Sequence, residues 1–171
     1  TGAMNEPSSR SLILKAMANT DARIARGKPV TPTFLLGALL WPAVAAKGSD
    51  IASAGAHEGS PINAASQQVL TITLQRVSIP KRFSIPMREI WELQPRLEKC
   101  SSKRVKSVLS QRRFRAAFDL LLLRSESSDE LESTVSFWKE QQQLFPELVG
   151  SLPATDIPQR RRRPRRRNRS Q

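Results

Sequence analysis

The sequence predicts an all-α protein, an irregular bundle of about seven helices followed by a disordered, arginine-rich C-terminal tail. Three observations lead there. Apolar residues recur at three-to-four spacing through most of the chain. Cap-and-proline punctuation divides that pattern into segments. From about Leu152 onward Pro, Asp, Gln and Arg dominate, a composition too polar to offset the entropy of ordering. At 171 residues the expectation is one helical domain over 1–150 and a basic tail over 151–171. No internal repeat is present.

Pro7-Ser8-Ser9 offers an N-cap, and Leu12, Ile13, Ala16, Met17, Thr20 and Ile24 then share a face. A first helix is predicted from about Ser9 to Arg26, closed by Gly27. Thr31-Pro32 places a cap before a proline at the first helical position. The helix it opens is apolar almost all round (Phe34, Leu35, Leu36, Leu39, Leu40, Trp41, Val44), which predicts burial at the bundle centre. Pro42 is predicted to kink that helix or end its regular part, and Gly48 to Gly59 reads as a loop. Ser60-Pro61 repeats the cap device and opens a third helix through about Val77. Its Val69, Thr71, Ile72 and Thr73 also suit a strand, but no second convincing strand exists to pair with it. Pro80 and Pro86 bracket a predicted loop carrying Lys81-Arg82. A fourth helix follows from about Met87 to Lys99 with a kink at Pro95, and Ser101-Ser102 caps a short fifth ending near Leu109. A sixth is predicted over about Gln111 to Arg124. Ser127-x-x-Glu130 is a capping-box pattern ahead of a seventh, whose Leu131, Val135, Trp138 and Leu144 form an apolar stripe.

The formal net charge is +13. Eight arginines and no acid lie from Arg160 onward, and 13 less those eight leaves +5 for the first 159 residues. The folded part is therefore basic without its tail. Nucleic acid leads as partner, ahead of an anionic membrane surface. A single Cys100 and a single His57 exclude an internal disulfide and a Cys/His metal site, in keeping with a reducing cytoplasm. His57, in a Gly/Ser loop, and Cys100, at a helix end, are read as inert. The longest apolar run, Phe34 to Ala46, is about thirteen residues, short of the roughly twenty that span a bilayer. The N-terminus lacks a signal pattern. Thr1-Gly2-Ala3 precedes Met4, either as a tag remnant or because the chain begins inside a longer protein.

Charge concentrates between Lys81 and Arg115, where eleven Lys and Arg face only Glu89, Glu92 and Glu98. Ile90, Trp91, Leu97, Val105, Val108, Leu109, Phe114, Phe118, Leu121 and Leu122 run through the same region at helical spacing. A helical framework holding cations outward suits a polyanion. Here IPKRFSIPMREIWELQPRL followed by RRFRAAFDLLLLR resembles the C-terminal region of bacterial poly(A) polymerases, in the superfamily that includes the CCA-adding enzymes. ANTDARIARGKPVTPTFLLGALLWP upstream and RRRRPRRRNR at the end fit the same family in the same order, with the weakest match between Ala45 and Ala65.

The resemblance implies an intact enzyme that uses ATP and Mg²⁺ to add AMP to RNA 3′ ends, tagging transcripts for decay. Such chemistry needs metal ions held by clustered carboxylates. Enzymes of this superfamily carry a Gly-Ser pair and an Asp-x-Asp motif on a small sheet. Neither motif is present: Asp21, Asp50, Asp119, Asp129 and Asp156 are scattered, and Gly48, Gly55 and Gly59 lack the setting of a phosphate loop. The chain is expected to hold no cofactor, no metal and no catalytic residue of its own, and to be inactive alone. It is expected to bind RNA beside an N-terminal nucleotidyltransferase domain that it does not contain, with RNA decay proteins as further partners and no membrane.

The expected RNA contacts fall in two groups. In the folded part, Lys103, Arg104 and Lys106, with Arg112, Arg113 and Arg115, are read as a phosphate-contacting face at the junction of the fifth and sixth helices. Lys81, Arg82 and Arg88 extend it. The plainer reading of each is a solvated helix face, and Arg115 is alternatively paired with Asp119, four residues on. In the tail, Arg160, Arg161, Arg162, Arg163, Arg165, Arg166, Arg167 and Arg169 supply sequence-independent attraction and bidentate phosphate contacts. Trp41, Trp91 and Trp138 lie on apolar stripes, which favours core packing over base stacking. Phe83, between two prolines, is the aromatic expected to be exposed, as a hydrophobic anchor or a stacking ring. The alternative function is a basic adaptor that binds RNA and docks on degradation machinery through its helical face. Membrane attachment ranks last, because the tail has charge without an apolar face.

Overall fold

A computed structural model describes residues 7–27, 30–55, 59–126 and 128–151. Among them the backbone is helical and forms no strand. Seven α-helices follow one another: α1 (Pro7–Ala25), α2 (Pro32–Ala54), α3 (Pro61–Leu74), α4 (Lys81–Glu98), α5 (Val105–Leu109), α6 (Phe114–Ser125) and α7 (Glu132–Leu144). Short 3-10 turns at Ser102–Arg104 and Asp129–Leu131 lead into α5 and α7, and a third at Pro146–Leu148 follows α7.

The predicted punctuation holds at three ends. Gly27 takes φ +65°, Thr31 occupies the N-cap of α2 with Pro32 behind it, and Ser60 Oγ accepts a hydrogen bond from Asn63 N at 3.4 Å. Two helices run farther than expected. α2 passes through Pro42 and fills residues 48–54, where a loop was expected. Pro42 removes only the bond to the Ala38 carbonyl, while α3 packs along α2. Gly48 is buried there, and a Cβ on it would stand 2.7 Å from Ile62 Cδ1. The glycine marks the close approach of two helices. Gly55, with φ +65°, ends α2 and donates its N–H to Ala52 O at 3.3 Å. At 23 residues α2 is long and apolar enough to cross a bilayer, which the thirteen-residue run did not suggest. In the fold it packs on α1, α3 and α4.

α4 starts at Lys81 rather than near Met87, with Pro80 at its N-cap and both Pro86 and Pro95 inside it. Phe83 is half-buried against the core, which draws the Lys81-Arg82 turn into the helix. Pro86 forfeits one bond, to the carbonyl of exposed Arg82. α6 begins at Phe114 and α7 at Glu132. Ser127 of the expected capping box, His57 and the arginine-rich tail lie outside the described residues.

α4 is the hub of the bundle and touches α2, α3, α5, α6 and α7. Its Met87, Ile90, Trp91 and Leu97 are fully buried with Phe114, Leu120 and Leu121 of α6, each contributing about 1.5–3 kcal/mol. Trp91 Nε1 donates to Gly37 O at 2.9 Å, tying α4 to α2. Trp138 Nε1 donates to Leu97 O at 2.8 Å, tying α7 to α4. Trp41, 6% exposed, lies 4.7 Å beneath the Arg124 guanidinium. All three tryptophans are core residues. Arg124 also donates to Gln94 Oε1 at 2.8 Å and Glu98 Oε1 at 2.6 Å. Buried Gln94 in turn donates to Ala117 O at 2.9 Å, so one polar network spans α2, α4 and α6.

The chain turns sharply at Cys100, whose φ is +42°. For a residue with a side chain that conformation costs about 1–2 kcal/mol, and its thiol makes only a weak contact to Leu97 O at 3.4 Å. Cys100→Gly is therefore expected to stabilise the fold by about 1 kcal/mol. The measurement is a higher urea midpoint at unchanged m.

Candidate nucleic-acid interface

The Cys100 turn reverses the chain, and buried Val105 and Val108 pin the returning segment to the core. Arg96 in the last turn of α4 and Lys99 at its C-cap therefore share a cavity with Lys103 and Arg104 of the 3-10 turn. The cavity is an open groove of about 970 Å³. Its other walls are the C-terminal part of α2, from Gly48 to Ala52, and the first turn of α3. All four cations are exposed, and none forms an ion pair with a described residue. The carboxylate lining the groove is Glu92, and Arg88 Nη2 stands 3.8 Å from it.

Other expected contacts have different settings. Arg113 Nε donates to Glu89 Oε2 at 2.9 Å and links the start of α6 to α4. Arg88 Nη2 donates to Asn63 Oδ1 at 3.2 Å, while its buried Nε has no hydrogen-bond partner among the described residues. Lys106 Nζ lies 5.1 Å over the Phe145 ring. Lys81, Arg82, Arg112 and Arg115 are exposed, with the Arg82 guanidinium 4.9 Å over Phe83. The structure thus brings Lys103 and Arg104 together with Arg96 and Lys99, and the remaining cations of the expected face do not line that groove. Arg96 and Lys99 escape sequence reasoning because helical cations are mostly solvated. Their i, i+3 spacing just ahead of a second basic pair was the available signal. After α7 the chain returns to the α5–α6 junction, where Gly150 N donates to Leu109 O at 2.8 Å.

Arg115 and Asp119 form no ion pair among those described. Asp119 remains exposed by area, yet burial of its carboxyl raises the pKa above the ordinary 3.8, with Arg23 and Arg115 pulling it back. A raised pKa means that the fold favours the protonated form. The stability that this proton confers is complete below 3.8 and lost as pH rises through the raised value. Asp119→Asn is expected to raise the melting temperature at pH 7 and to match the parent chain near pH 3, by paired thermal melts.

Among the described residues no three His, Cys, Asp or Glu side chains come together to hold a metal ion. The described residues offer no carboxylate cluster of the kind that would hold the Mg²⁺ that the family resemblance implies for an intact enzyme.

The profile of the family described as polymerase A arginine-rich C-terminus matches residues 54–171. Poly(A) polymerase I of Salmonella typhi is 36% identical over 164 residues, covering 91% of this chain and 35% of that protein. Poly(A) polymerase I of Escherichia coli O157:H7 is 35% identical over 164 residues with the same coverage. That of Haemophilus influenzae is 29% identical over 133 residues, or 77% of this chain and 29% of that protein. The chain spans about a third of the length of the curated relatives it matches. The matched family region takes in α3 to α7, the groove cations and the arginine run, and the chain belongs to the polymerase A arginine-rich C-terminus family, as a C-terminal region of a poly(A) polymerase.

Proposed function

We propose that this chain is the RNA-gripping portion of a bacterial poly(A) polymerase. It holds the body of an RNA in the cytoplasm while a nucleotidyltransferase domain upstream adds AMP from ATP to the 3′ end. Four exposed cations gathered in one groove support this reading most strongly, and eight further arginines follow in the sequence from Arg160. Lysine and arginine side chains bind phosphates and release the counterions around them, which makes binding strong in dilute salt and largely blind to sequence. With no carboxylate cluster among the described residues, the transfer of AMP falls in this reading to the upstream domain. ATP and Mg²⁺ belong to the upstream domain in this reading, as do contacts with decay proteins to the intact enzyme.

One observation favours a protein-docking role as a second reading. Leu14, Met17 and Ile24 of α1 are 66%, 51% and 61% exposed and fall on one helical face. The test of the first reading is an anisotropy titration of a labelled single-stranded RNA with the whole chain across a salt series. Tight binding that weakens steeply with salt supports it. A chain that ignores RNA in dilute buffer overturns it, and AMP transfer by this chain to a primer overturns the division of labour.

A further inference from the structure

We infer that the groove between α2, α3 and α4 seats consecutive phosphodiesters of one RNA strand and reads no base; this rests on the RNA-gripping reading. Elsewhere the fold neutralises its inward-turned cations. Lys15, Arg88, Arg113 and Arg124 each meet a carboxylate within 3.8 Å. Arg96, Lys99, Lys103 and Arg104 do not, although they stand around a single concavity. Like charges held together in this way repel one another and weaken the fold unless an anion completes the site. The site is therefore built for a ligand with several negative charges in a row.

The shape of the groove narrows the choice to a single strand. A volume of about 970 Å³ sits at the upper end of ligand pockets, about 300–1,000 Å³, and is concave. An RNA duplex is convex and is recognised across a span of about 16 base pairs, far more than this cleft offers. A single strand can enter it and turn its phosphates to the walls.

Chemistry then settles what is touched. Sequence-tolerant grip on bases relies on exposed aromatic rings. The aromatic lining this groove is Trp138, which is 0% exposed and donates its N–H to Leu97 O. No ring face is open for stacking. The exposed donors are guanidinium and ammonium groups, whose natural acceptors are phosphate oxygens. Four phosphate contacts to a single strand predict a share of about −2.8 in the slope of log K against log salt, equal for every base.

The experiment uses the full 171-residue chain and labelled oligo(A), oligo(C) and oligo(U) of equal length. The groove variant Arg96→Gln/Lys99→Gln/Lys103→Gln/Arg104→Gln is compared with a charge-matched control, Arg10→Gln/Arg26→Gln/Arg76→Gln/Lys139→Gln, whose exposed cations lie away from the groove. The groove variant is expected to lose about 2.8 from the slope, about a fiftyfold difference in salt sensitivity between 50 and 200 mM, and to lose it alike for the three oligomers. The control is expected to keep most of the parent slope. Single variants Arg96→Gln and Lys103→Gln, each expected to lose about 0.7, give the same answer without removing four charges at once. A groove variant that matches the control overturns the groove as the seat while leaving RNA binding intact. A loss that differs tenfold between oligomers overturns base-blindness. A parent chain that binds none of the three fails the RNA-gripping reading itself.

Discussion

Trp138→Ala should destabilise the fold by about 3–5 kcal/mol, a large part of the 5–15 kcal/mol that holds a typical domain together. The indole is fully buried. Its ring centroid lies 5.6 Å from Phe114 in a tilted pair and 5.2 Å from Phe137 edge-on, and Phe114 stacks on Phe118 at 6.0 Å. Truncation leaves a void beneath all of them. It also removes the indole N–H that the Leu97 carbonyl accepts near the end of α4, a bond worth about 1 kcal/mol, while Cys100 N still donates to that oxygen at 3.3 Å. Trp138→Phe keeps much of the volume and loses the hydrogen bond, so it should lie between the parent and Trp138→Ala. Urea unfolding followed by circular dichroism measures both. A loss below about 1 kcal/mol for the alanine variant is incompatible with the packing described. Because Trp138 also lines the groove, the variant should bind RNA less well wherever α4 frays.

Removing residues 159–171 should have the largest effect on RNA affinity. The deleted segment carries eight arginines and no acid. If about five of them neutralise phosphates of a single strand, the slope of log K against log salt flattens by about 3.5. Over a fourfold salt change, that slope corresponds to about a hundredfold in affinity. The truncated chain should melt with the parent, since residues 159–171 are Arg, Gln, Asn, Ser and one Pro and bring no large apolar side chain to bury. Equal slopes for the parent and truncated chains would falsify a role for the arginine run in RNA binding.

Much of the architecture was legible because local chemistry marks it. Thr31-Pro32, Ser60-Pro61 and Gly27 announce helix ends without help from the rest of the molecule, and the periodic Trp91 and Trp138 stripes announce the core. What failed was the weight given to proline. Pro86 looks like a boundary, and Pro42 like a kink or an end of regular helix, when only one backbone bond is considered. Each lies inside a helix because tertiary packing outweighs that single bond. Gly48 misled in the same way, since a glycine that spaces two helices looks the same in sequence as one in a loop.

For the candidate interface, the excess of charge was plain but its distribution was not. Arg113 finds Glu89 across 24 positions and Arg124 finds Glu98 across 26, distances at which no local spacing signals a partner. Which cations are quenched is thus decided by how α4 and α6 pack. The groove is equally non-local, since it draws on residues near 50, near 60 and from 92 to 104. Lys103 and Arg104 were foreseen as a pair, but Arg96 and Lys99 became their companions only through the bend at Cys100.

The bond between Gly150 and Leu109 gives the arginine run a leash. Ten positions separate that anchor from Arg160, and ten residues reach no farther than about 35 Å in any conformation. On the proposed reading, an RNA phosphate held at Arg160 would lie within that radius of Gly150, a span over which linked sites act on each other at a local concentration on the order of millimolar.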